Sequence, residues 1–100
     1  MHALFLAILM LAPQDITCPT PPGGLAGPFV RDSDTAVAIF QAVTDPLAGG
    51  EDFSGYQVKA EETREGRAWL VFHVTGMRGG GVAMVIDKCT GAISEVQYQR

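Results

Sequence analysis

The stretch that most constrains this chain is AWLVFHVT, Ala68 to Thr75. Apolar residues occupy both its odd and its even positions, so as a strand it is apolar on both faces. Such a strand belongs in the middle of a sheet. Three further segments supply its neighbours. YQVKAEET (56–63) alternates with a period of two, and the REGR after it holds a turn centred on Glu65-Gly66. VAMVID (82–87) resumes the alternation after the break GMRGGG, KCTG turns, and AISEVQYQ (92–99) closes the chain.

One helix precedes them. In DSDTAVAIFQAV, Asp32 or Ser33 can cap the free amide groups of the first turn, and Asp34 suits the positive end of the helix dipole. Ala36, Ile39, Phe40 and Val43 fall on one side at helical spacing, while Asp34, Ala38 and Gln41 face the other way. Pro46 is expected to stop the helix, because a proline disfavours helical geometry in the residue before it. A one-sided helix needs a sheet to cover. The order predicts an α+β domain: one N-terminal helix packed on a curved antiparallel four-stranded sheet, joined as a meander.

The chain has 100 residues, room for one domain, and 47% hydrophobic with 18% charged residues suits a globular fold. Its net charge is −4, from 11 acidic and 7 basic residues. That argues against a nucleic-acid surface, which needs clustered Lys and Arg. The N-terminus is different in kind. Ala3 to Ala12 is an unbroken apolar run, too short for a bilayer span of roughly 20 residues but suited to the core of a secretory signal. Cleavage after Gln14 would place Ala12 three positions back. This divides the chain into a signal (1–14), a Pro/Gly-rich linker (15–30) and a folded domain (31–100). An uncleaved membrane anchor and a buried apolar helix are the alternatives for the first segment. Export to the periplasm or beyond is the expectation. The remaining domain is small, and a core of that size is marginal without help.

In an oxidising compartment Cys18 and Cys89 could pair, or they could remain two thiols, one on the lead-in and one in a turn. With no CxxC and only His73 as a further ligand, no metal or other cofactor is expected. The run Gly79-Gly80-Gly81 is no phosphate cradle, since such a loop must open a helix and here a valine-rich strand follows. It is expected to be a bend with positive backbone dihedrals and close strand approach, and Gly91 is placed at the left-handed position of the last hairpin turn.

The order DTAVAIFQAV, YQVKAEE, GRAWLVFHV, GGGVAMVIDKCTGAISEV resembles the small bacterial immunity proteins with a nuclear-transport-factor-two-like fold. The resemblance covers roughly residues 31–100 and centres on Gly80 through Ile93 with Trp69 upstream. It implies a cystatin-like helix-on-sheet fold and a non-enzymatic module that neutralises a toxin by occluding it. Peptidase-propeptide domains, which inhibit or regulate exported proteases, share a strand–D-x-x-T-G–strand hairpin and are the alternative.

Chemistry offers less. His73 could serve as a general base in a small pocket enzyme, but no spacing assigns it an orienting carboxylate, and a half-buried or solvent-facing strand histidine is the expectation. Trp69 is expected in the core or on a sheet face, and Tyr56 and Tyr98 over the sheet edges. Glu61, Glu62, Glu65, Asp87 and Glu95 are the candidate partner-binding residues, because an acidic face speeds association with a basic partner. Glu61 and Glu62 are adjacent in a strand, so they point to opposite faces and form no catalytic dyad.

Overall fold

The computed structural model describes residues 16–20, 22–47, 55–75 and 80–98. The expected signal, residues 1–14, and Gly79 lie outside them. Helix α1 spans Ser33–Leu47, and strands β1 (Gln57–Thr63), β2 (Ala68–Val74), β3 (Val82–Asp87) and β4 (Ile93–Tyr98) follow. The strands form one antiparallel sheet in the order β1-β2-β3-β4. This is the α+β meander that the sequence predicts.

Asp32 caps α1, its Oδ1 accepting from Thr35 N–H and Thr35 Oγ1, both at 2.8 Å. Those two bonds, the backbone one first, hold the Asp32 carboxyl below its usual range. The far end corrects the sequence reading: α1 runs through Pro46 to Leu47. Lacking an N–H, the proline cannot continue the backbone hydrogen-bond ladder, and the helix ends one residue beyond it. Just upstream, Thr44 is buried, and its hydroxyl donates to the Gln41 carbonyl.

Strand register decides which side chains meet the helix. Val58, His73 and Ala60, Val71 are cross-strand partners, as are Trp69 and Ile86. With Val82 and Met84 these residues face α1, whose Ala36 and Phe40 complete the core with Val30. Leu70, Phe72 and Val74 lie on the opposite face and are half-buried. The helix packs on β1, β2 and β3 but not on β4. All six residues of β4 are exposed in consequence.

The lead-in is part of this body. Val30, assigned by sequence to the linker, is 1% exposed and belongs to the core. Its N–H donates to the Lys88 carbonyl and its own carbonyl accepts from Trp69 Nε1, both at 3.0 Å. The linker therefore lies along the end of the sheet, and the domain starts before Arg31.

Candidate functional site at the hairpin end

Both hairpin turns lie at one end of the sheet, and the lead-in crosses beside them. In the β1–β2 turn, Arg64, Glu65 and Gly66 all take positive φ, at 53°, 58° and 82°. Gly66 N–H returns to the Thr63 carbonyl and Arg67 N–H to the Arg64 carbonyl. In the β3–β4 turn, Asp87 Oδ1 accepts from Cys89 N–H at 2.8 Å and from Thr90 N–H at 3.0 Å. Gly91 sits at φ 79°, where a Cβ would strain the backbone, as its place in the sequence implies. Lys88 N–H donates to the Arg67 carbonyl and ties the two turns together.

Cys18 and Cys89 are joined as a disulfide with 5.5 Å between their Cα atoms. It fastens the lead-in to the second turn. Between the lead-in and the two turns runs a groove of about 680 Å³, lined by Thr17, Glu65, Arg67, Asp87, Cys89 and Thr90, among others. The walls mix both charges with hydroxyl groups. Such a surface can accept a polar loop or a charged side chain of a partner.

The five candidate carboxylates do not gather on one face. Glu65 and Asp87 line the groove. Asp87 is also committed to its turn, as its bonds to residues 89 and 90 show. Glu61 lies opposite Leu70, on the face away from α1, and Glu62 lies opposite Trp69, on the helix side. Glu62 pairs with Lys88, and Glu95 with Arg64. Lys88 is 4% exposed and its ammonium sits 4.4 Å from the centre of the Trp69 ring. A buried ammonium needs such partners, since an unpaired one is expensive to desolvate. Arg67 and Lys88 were not singled out from the sequence. For Lys88 a signal existed: the even positions 82, 84 and 86 face the core, and the same period carries on to 88.

His73 corrects an expectation. It is 3% exposed rather than half-buried or facing solvent. Its position on the helix side of the central strand leaves it no other place. Phe40 meets its ring edge-on at 4.8 Å and Tyr56 lies 5.4 Å away. Nδ1 accepts from Val82 N–H at 2.9 Å, so a neutral ring carries its proton on Nε2. His73 does not line the groove.

Burial pushes the His73 pKa below its ordinary 6.5. As pH falls through 6.5 the unfolded chain binds the proton while the folded one resists it, so the unfolded state holds more protons there. Stability should be full above that value and decline below it, toward the lower folded-state pKa. Urea midpoints measured between about pH 8 and about pH 5 should show this decline, and His73→Gln should flatten it. A midpoint independent of pH in wild-type protein would contradict the burial of a neutral imidazole.

Among the described residues no group of three His, Cys, Asp or Glu could hold a metal ion. No helix of the described residues is long and apolar enough to cross a membrane. Comparison with protein-family models, with curated proteins and with solved structures finds no match. The likeness to immunity proteins therefore rests on the sequence motifs alone.

Proposed function

We propose that this chain is an exported, non-enzymatic binding module that presents its hairpin end to a protein partner. The observation that carries the reading is the braced groove: two interlocked turns and the lead-in, held by the Cys18–Cys89 bond, enclosing Glu65, Arg67 and Asp87. A rigid, polar, partly concave end suits recognition, because little ordering is lost when a partner docks. The disulfide supports export, since such bonds persist in oxidising compartments. His73 is buried, and its Nδ1, which a general base would use, accepts from Val82 N–H. The sequence motifs favour a toxin as the partner, neutralised by occlusion.

The test is co-expression with toxins or proteases encoded beside the gene, scored by cell survival and by complex formation. The double variant Glu65→Lys, Arg67→Glu reverses both exposed groove charges. It should weaken the complex by about tenfold or more while shifting stability by less than about 1 kcal/mol. Undiminished protection by that variant would move the binding surface elsewhere. Protection lost with His73→Gln alone, in folded protein, would instead point to catalysis.

A further inference from the structure

We infer that β4 pairs with β4 of a second copy of this chain, joining two sheets into one across a two-fold axis. The two rims of the sheet differ in character. The β1 rim carries Lys59, Glu61 and Glu62, charges of the kind that protect an edge from pairing. On β4, Ile93 is 38% exposed, Val96 46% and Tyr98 57%. Its one Asp, Glu, Lys or Arg residue, Glu95, is already paired with Arg64, so two copies meet without a bare like charge.

The irregularity in β4 sets the register. Val85 pairs with Ser94 and Ala83 with Gln97, so Glu95 and Val96 together face the single residue Met84. Glu95 takes φ 53°, the left-handed geometry of a bulge's first residue. Ile93 lies opposite Ile86 and Tyr98 opposite Val82, and both of those partners face the core. Ile93 and Tyr98 therefore share the helix side, although an odd number of positions separates them. Only the inserted residue makes this so.

The consequence is a self-complementary edge. Antiparallel pairing about the midpoint of Glu95 and Val96 sets Ile93 against Tyr98 of the partner subunit, on the same face. It sets Ser94 against Gln97 of the partner subunit on the other face. The backbone directions agree with this register. Asp87 N–H bonds the Ala92 carbonyl, so by the alternation of an antiparallel ladder the backbone groups of Ile93 point away from β3. Aliphatic–aromatic pairs of this kind are among those that stabilise sheets, and each occurs twice across a two-fold axis.

Sedimentation over a micromolar to millimolar series should show a monomer–dimer equilibrium and nothing larger. Ile93→Glu, which sets a charge against Tyr98 of the partner subunit, should weaken it by about tenfold or more, with a circular dichroism melt confirming the fold. Register is read by mixing the single variants Ser94→Cys and Gln97→Cys under mild oxidation. Facing residues of a non-hydrogen-bonded pair lie close enough to bridge, so the mixture should give the crossed dimer. Ser94→Cys alone should not, because its two copies are offset along the strands. A monomer at every concentration, a dimer unaffected by Ile93→Glu, or Ser94→Cys linking to itself as readily as to Gln97→Cys would each overturn the inference. If Ile93→Glu fails to fold, the cross-linking pattern decides alone.

Discussion

Loss of the Cys18–Cys89 bond should cost this domain about 4 kcal/mol, the largest effect expected of any one change. The bond closes a loop with a sequence separation of 71, which restricts the unfolded chain far more than a short loop would. A small domain has only about 5–10 kcal/mol in total, so the reduced protein should keep only about 1–6 kcal/mol of it. Urea melts of oxidised, reduced and Cys18→Ser, Cys89→Ser protein measure this directly. The bond also holds the lead-in in place. Gly27 lies so near the second turn that a Cβ there would stand 2.7 Å from the Cys89 carbonyl oxygen. Below the unfolding transition, Trp69 reports on the lead-in, because its indole N–H donates to the Val30 carbonyl. Its emission should shift to the red on reduction as that contact loosens. A loss under about 1 kcal/mol would mean that the segment docks by its own packing, and that the covalent link adds little.

The second large effect concerns the glycines before β3. A Cβ on Gly81 would stand 2.6 Å from Thr75 Cγ2 and 2.7 Å from His73 Cβ. Neither atom is the loose end of a long side chain, and His73 is pinned between Phe40 and Val82 N–H. Gly81→Ala should therefore destabilise the domain by about 3 kcal/mol, at the upper end for overpacking. Gly80 has a different reason to be glycine. Its φ is 83°, and a Cβ would find its nearest neighbour, the Tyr56 hydroxyl, at a comfortable 3.8 Å. Gly80→Ala meets backbone strain but no clash, and about 1–2 kcal/mol is expected. Urea midpoints of the two variants rank them. If Gly80→Ala proved the more damaging, close approach to His73 would not be what selects glycine at position 81.

The glycine run shows what a sequence conveys and where it stops. Its reading as a bend followed from the valine-rich alternation behind it, and Gly80 does carry a positive φ. That Gly81 is needed for space, against a histidine eight positions earlier, depends on the pairing of β2 with β3. The carboxylates teach the same lesson. Glu62 and Asp87 look alike in a list of acidic residues, yet one neutralises a buried lysine and the other closes a turn.

By itself the sequence determined the element types, their order and the inward side of α1. Local causes suffice for that: an aspartate to cap α1, period-two alternation in the strands, glycine where a turn needs a left-handed residue. Tertiary structure alone decided three things. It brought Cys18 to Cys89, a distance no local pattern encodes. It buried His73 and Lys88, because burial depends on what lies across the sheet and on which strands the helix reaches. It left β4 uncovered, because one helix of 15 residues spans three strands of the sheet and not the fourth. Periodicity tells a residue which way to face. Whether anything waits there is a property of the whole chain.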